Sequence, residues 1–519
     1  MSTVSNPILP GCYPDPSICR VGDDYYLVTS TFEYLPGLPV LHSRDLVSWE
    51  QIGHVVDRPG QLDFTGIASS GGLYAPTIRY HDGQFWVVCT LVDQRDGSRG
   101  GNFLMTAKDP AGPWSDPIWL ESFGIDPSIF FDDDGRIWVH GTRLALEPRW
   151  HDQTEVWVRE LDRETMQWVG PETVIWHGAV EGVVWSEAPH IYKVDGTYYL
   201  IAAEGGTEFH HAESVARSDS VTGPYVGTRG NPVLTHRHLG RRHPVVGAGH
   251  ADLVEAADGS WWAVLLAMRT YGGYHYPLGR ETFLVPVVWE DGWPVFAPGV
   301  GKIPDEVEVP FAGTPTPGVV QGAASGVVPP ADLRWTAVRA QPSEVATPAG
   351  EGWDLPLRPA TLADLEVPAF LGLRLQHRDA DLTARVRADL GQGEEVGLVV
   401  RQSEKDHARL AVTADGDVRH VRVVHRQGGQ ERVLGEVTLA ASADAPLVLG
   451  VRARGADLQL LAGVGDTAPV VVATADATQL DTVATGGFLG LWLGVYGTSA
   501  GAPTQTVAHV ERVEYAPAG

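Results

Sequence analysis

One plan recurs five times between residues 16 and 264. Its copies start at Pro16, Pro76, Pro127, Pro189 and Ala251, so successive starts lie 60, 51, 62 and 62 residues apart. Each copy runs a short apolar strand into a turn and then an aromatic strand, as in Ile191-Tyr192, Asp195-Gly196 and Tyr198-Tyr199-Leu200. About 60 residues is room for one four-stranded sheet, which cannot bury its two faces alone. Sheets repeated radially about an axis solve that problem, and five of them make a five-bladed β-propeller. The Asp-Gly or Asp-Asp pair of each copy is expected to supply the positive φ of a tight hairpin turn. No stretch between the copies has a helical period, which argues against βαβ units.

A chain of 519 residues is long enough for more than one core. Composition shifts between about Pro304 and Pro330, where Gly and Pro dominate and periodicity disappears, as expected of a linker or a strap over the surface. Fourteen of the 17 Trp precede residue 300. Beyond the linker the text turns to short Val/Leu/Ala/Arg alternations such as residues 382–388 and 418–424. Period-two patterning with frequent turns predicts strands with one wet face, hence a β-sandwich. The expected organisation is all-β, with a propeller over 1–305, a linker over 306–330 and a sandwich over 331–519. The formal charge of −27 is adverse to nucleic acid and to anionic lipid. No apolar run is long enough to span a bilayer. Only three cysteines occur, Cys12, Cys19 and Cys89, and residues 1–7 lack a charged and an apolar leader region. The expectation is a cytoplasmic protein with free thiols.

In a propeller the innermost strand of every blade starts at one mouth of the axial channel. The positions just before each copy therefore converge: Asp15, Tyr74 with Ala75, Asp126, Glu187 with Ala188, and His250. Taken singly, Asp15 and Asp126 also read as turn-forming Asp-Pro dipeptides. Their common register with Glu187 is what singles them out. Two carboxyls flanking a glycosidic bond suffice for its hydrolysis, and a third nearby raises the pKa of the acid.

Three segments, Asn6 to Ser17, Gly124-Ile-Asp126-Pro-Ser and Trp185-Ser-Glu187-Ala-Pro-His, resemble the catalytic motifs of glycoside hydrolase family 43. The likeness extends to Gly249-His250, Leu278-Gly-Arg280 and Trp289-Glu-Asp-Gly-Trp, and it is strongest to the β-xylosidase and α-L-arabinofuranosidase branch. That resemblance implies a propeller followed by a jelly-roll, concanavalin-like sandwich. It implies Asp15 as general base, Glu187 as general acid, Asp126 as the group that tunes and orients the acid, and inversion at the anomeric carbon. By the same likeness Arg280 binds sugar hydroxyls, Phe32 and Tyr74 wall the subsite, and Thr207 and His210 touch substrate. Tyr74 stands where many xylosidase relatives have Trp. Phe488 would reach over from the sandwich to close the pocket. His250 would lie beneath the sugar, near a hydrated calcium or sodium ion, with no cofactor required. The substrate would be a short xylo- or arabino-oligosaccharide cut from one end. Relatives form dimers or tetramers, although the text shows no self-evident interface. The basic run from Arg237 to His243 reads as a solvated loop beside the funnel. A non-catalytic sugar-binding propeller and an endo-acting arabinanase are the rival readings.

Overall fold

The computed structural model describes residues 2–309, 326–440 and 445–518. Five antiparallel sheets follow one another along the first part of the chain. Their innermost strands are Ser17–Val21, Thr77–His81, Ile125–Phe131, Glu187–Val194 and Val245–Glu255. Each is paired outward with the aromatic strand that follows it.

Both faces of a blade are covered, so its strands divide their side chains between two neighbours. Trp86 and Val88 pack with Ile129, Val139 and Trp157 of the third blade. The alternate residues of the same strand, Val87 and Cys89, pack with Val28, Val40 and Val55 of the first. Equivalent clusters join blades three and four, four and five, and five and one. Each large side chain buried this way is worth about 1.5–3 kcal/mol. The ring is closed at its seam by the N-terminal segment. Ser2–Ser5 pairs with Glu306–Val309, and Asn6 bonds the backbone of Leu284 and Pro304 at 2.8–3.0 Å.

The hairpin turns follow the expected chemistry at Asp82-Gly83 and Asp195-Gly196, where both residues have positive φ. In the first copy the expectation fails. The positive φ belongs to Gly22, one residue earlier, and Asp23-Asp24 leaves the turn in ordinary backbone. A glycine already at the first turn position removes any need for a strained Asp.

The second part of the chain is a two-sheet sandwich. One sheet has six strands, from Ala369–Arg374 to Gln430–Ala440, and the other is built around Val507–Pro517 and Asp379–Arg387. Leu371, Leu398, Leu410 and Leu493 of the first face Leu382, Leu449 and Leu460 of the second in one core. The stretch expected to be a linker is structured at both ends: Glu306–Val309 closes the ring, and Gly326–Val327 pairs with Val507–Pro517. Residues 310–325 lie outside the described residues.

The six-stranded sheet does not keep a wholly wet outer face. Phe370, Val399, Trp492 and Tyr496 on that face pack against Cys12, Phe32 and Tyr34 of the propeller. Tyr34 and Trp492 are stacked with centroids 4.0 Å apart, and Ala337–Val338 pairs with Tyr34–Leu35 across the boundary. The sandwich is thus bound to the pocket end of blade one.

Candidate active site

Four of the five mouth positions have left-handed backbone: Asp15 (φ 55°), Asp126 (53°), Ala188 (50°) and His250 (57°). Such a conformation is uncommon for residues with a Cβ and costs on the order of 1–3 kcal/mol. It coincides with a slip of register in the innermost strands of blades three, four and five. The strain is therefore spent at the position where each blade delivers a side chain to the channel mouth. Glu187 leaves its blade one residue before that position, at the strand end paired with Ala203.

A small pocket opens here, lined by Asp15, Asp126, Glu187, Phe32, Tyr74, Thr207, His250, Arg280 and Phe488, with Ala75 and Ile125 between them. Nine of the ten residues assigned to the site thus come together. His210 does not join them. It sits exposed in the turn after Glu204, its ring against Phe209.

The three carboxyls have different surroundings. Asp15 is 4% exposed and fully engaged. It accepts from Arg280 Nη1 at 2.8 Å and from the Ser30 hydroxyl at 2.6 Å, with His250 Nδ1 at 3.4 Å. Asp126 accepts from the backbone N–H of Ala188 at 3.1 Å, which ties it to the residue following Glu187. Burial, then the negative charge of Asp15, pushes its carboxyl up to about 7. The carboxyl of Glu187 makes no hydrogen bond or ion pair with the described residues and faces the open pocket. Burial first, and the charges of Asp126 and Asp15 after it, raise its pKa well above the carboxylate range. One carboxylate pinned by an arginine and one free carboxyl that favours its proton can together serve as a base and an acid.

Around them stand three rings. Phe488 is stacked on Phe32 at 6.0 Å, and Tyr74 meets both edge-on at 5.6 and 5.8 Å. The Arg280 guanidinium lies over Phe32 and Phe488 at 5.5 and 5.4 Å and also donates to Thr207. Its Nε is buried without a partner among the described residues. Tyr74 is fixed by its hydroxyl, which donates to the Ser70 carbonyl at 2.8 Å and accepts from Gln94.

Beneath the mouth the channel is stoppered. Arg79 of blade two reaches Asp252 of blade five at 2.7 and 3.0 Å and His190 of blade four at 3.2 Å. Ser17 and Tyr192 donate to the same aspartate. Burial pushes Asp252 up, but the Arg79 charge outweighs it and holds the carboxyl below its usual range. Burial pulls His190 down to about 3, so it is neutral. Among the described residues no three His, Cys, Asp or Glu side chains gather as a metal ligand set. His250 offers one imidazole and Asp252 is committed to Arg79, so the side chains present do not make a directly ligated ion site.

Two family models match the chain. Glycosyl hydrolases family 43 covers residues 4–294, and the β-xylosidase C-terminal concanavalin A-like domain covers 329–516. The chain is 41% identical over 513 residues to a xylosidase/arabinosidase of Butyrivibrio fibrisolvens, covering 96% of this chain and 97% of that one. It is 38% identical over 516 residues to a non-reducing end α-L-arabinofuranosidase of Bacteroides ovatus, covering 96% and 92%. Among solved structures, a xylan β-1,4-xylosidase from Bacillus halodurans superposes with a TM-score of 0.91 at 31% identity, over 99% of this chain and all of that one. With three carboxyls at the mouth of a five-bladed ring and a sandwich packed over it, the chain belongs to glycosyl hydrolases family 43 and is a glycoside hydrolase.

Proposed function

We propose that the enzyme removes single terminal β-D-xylose or α-L-arabinofuranose units from short oligosaccharides, with inversion at the anomeric carbon. The observation that carries this reading is the contrast between Asp15, pinned by Arg280 and Ser30, and Glu187, unpaired and proton-favouring in the same small pocket. Asp15 would take a proton from a water that attacks the anomeric carbon. Glu187 would give its proton to the departing glycosidic oxygen as that carbon–oxygen bond breaks. Inversion needs the two carboxyls about 6.5–9.5 Å apart, with the water between them. The aromatic wall of Phe32, Tyr74 and Phe488 supports an end-on substrate, since the Phe488 ring covers one side of the pocket. The names carried by the relatives support both sugars. The free, buried Cys12, Cys19 and Cys89 are in keeping with work in a reducing cytoplasm on imported oligosaccharides.

The test is a paired assay on 4-nitrophenyl β-D-xylopyranoside and 4-nitrophenyl α-L-arabinofuranoside, with the first-formed anomer of the sugar read by proton NMR. Release from at least one glycoside with inverted product is expected, and the ratio of the two kcat/KM values sets the sugar preference. Release from neither, or a retained anomer, overturns the proposal.

The electrostatics of the site also fix the sign of a pH effect. The acid is active while Glu187 holds its proton, so kcat/KM falls on the alkaline side as that proton is lost. The Asp126 charge is one of the causes that raise Glu187. Asp126→Asn should therefore move the alkaline limb to lower pH, besides lowering the rate at the optimum. A limb that stays in place would show that the Asp126 charge does not help set the acid.

A further inference from the structure

The connections leaving the pocket end of blades four and five bring together residues that the glycosidase chemistry does not use. The turn between Glu204 and Ala212 carries both Thr207, which lines the pocket, and Phe209. The loop between Arg269 and Glu281 carries Tyr274 and leads into Arg280. The stretch before Val245 carries Arg241. The Arg241 guanidinium lies 4.9 Å from the Phe209 ring centre and 5.0 Å from that of Tyr274, and the two rings meet edge-on at 6.1 Å.

This cation is exposed and has no carboxylate within ion-pair distance among the described residues; nor has Arg242 beside it. Two aromatic rings hold the guanidinium in one place, which removes much of the entropy cost of binding with a long side chain. A planar fork held fixed and left unpaired matches a carboxylate, which it can bind through two parallel hydrogen bonds.

We propose that the pocket mouth carries a carboxylate site centred on Arg241, which takes a uronate-bearing sugar on the leaving-group side of the scissile bond. The placement on that side rests on the end-cutting reading above. Arg237 and Arg242 contribute a positive local field rather than a fixed contact.

The test separates the two ideas because it needs no turnover. Binding is measured by calorimetry on the Glu187→Gln protein, with xylotriose and with xylotriose carrying glucuronic acid on its internal sugar. The uronate-bearing sugar should bind roughly tenfold more tightly, as expected for one charge-assisted contact. That advantage should vanish when Arg241→Gln is added and be partly kept with Arg241→Lys. It should shrink as sodium chloride rises from about 50 to about 500 mM. Equal affinity for the two sugars, or an advantage that survives Arg241→Gln, overturns the proposal. Failure of the chromogenic assays would instead overturn the hydrolytic reading and leave these affinities to be judged separately.

Discussion

Glu187→Gln should lower kcat on xylobiose by about 10³- to 10⁴-fold, the upper range for losing a general acid. The loss should be smaller on a 4-nitrophenyl glycoside, whose leaving oxygen departs without needing a proton. Gln has nearly the same shape but cannot donate a proton as an acid. The carboxyl it replaces has no partner among the described residues, so no contact seen to hold the fold is broken. Stability should stay the same or rise slightly at neutral and alkaline pH. The folded-state pKa of Glu187 is raised, so its ionised form is disfavoured in the folded protein, and that penalty disappears with the carboxyl. Xylobiose affinity by calorimetry should change little. The measurement is therefore a three-way split of kcat, affinity and Tm. A fall in affinity or Tm matching the fall in rate would mean that Glu187 is structural, and unchanged hydrolysis would remove it from the chemistry. A non-catalytic sugar-binding propeller would have shown no turnover to lose.

The parts of this site that could be read in the sequence are those the repeat carries. Because the five copies superpose, the residues before them had to share one mouth, and Asp15, Asp126, Glu187 and His250 all line one pocket. A second column was equally readable in principle. The second residue of each copy is Ser17, Thr77, Ser128, His190 and Asp252, polar in every case, as expected of a ring one layer down the channel. Arg79, at the fourth position of its copy, belongs to the same layer and meets Asp252. Other groups left no such trace. Ser30 holds Asp15, and Ser70 and Gln94 hold Tyr74, but each is one polar residue in a loop or at a strand end. Their partners are chosen by the three-dimensional course of the chain, and no period records that. The Gly/Pro-rich segment misled at its ends for a related reason. Strands as short as Glu306–Val309 and Gly326–Val327 gain their hydrogen bonds from distant partners, Ser2–Ser5 and Val507–Pro517, rather than from local patterning.

Arg401→Ala should destabilise the protein by about 3–5 kcal/mol and loosen the pocket as well. Arg401 ends a sandwich strand and is 1% exposed. It donates to Glu33 at 3.1 Å, to the Tyr34 hydroxyl at 2.6 Å and to Ser69 at 2.9 Å, all on the propeller. Glu33 is entirely buried, so removing the guanidinium leaves a carboxylate stripped of its closest counter-charge. The damage passes on by short steps. The other oxygen of Glu33 accepts from the Ser70 backbone, the Ser70 hydroxyl accepts from the Phe488 backbone N–H at 2.9 Å, and Phe488 walls the pocket. A shift of Ser70 therefore moves Phe488 and Tyr74 together, because the Tyr74 hydroxyl is bonded to the Ser70 carbonyl. KM should rise more than kcat falls, since Asp15, Asp126 and Glu187 are fixed within the propeller. Thermal unfolding and kcat/KM on xylobiose measure the two effects, and the double variant Glu33→Gln with Arg401→Met separates them. With both charges removed and the volume kept, most of the lost stability should return. If activity returns with it, the charge pair serves only to bind the two domains. If KM stays high in a restabilised protein, the ion pair itself sets the position of Phe488. An Arg401→Ala protein with native Tm and native KM would refute the idea that the sandwich shapes the pocket through this contact.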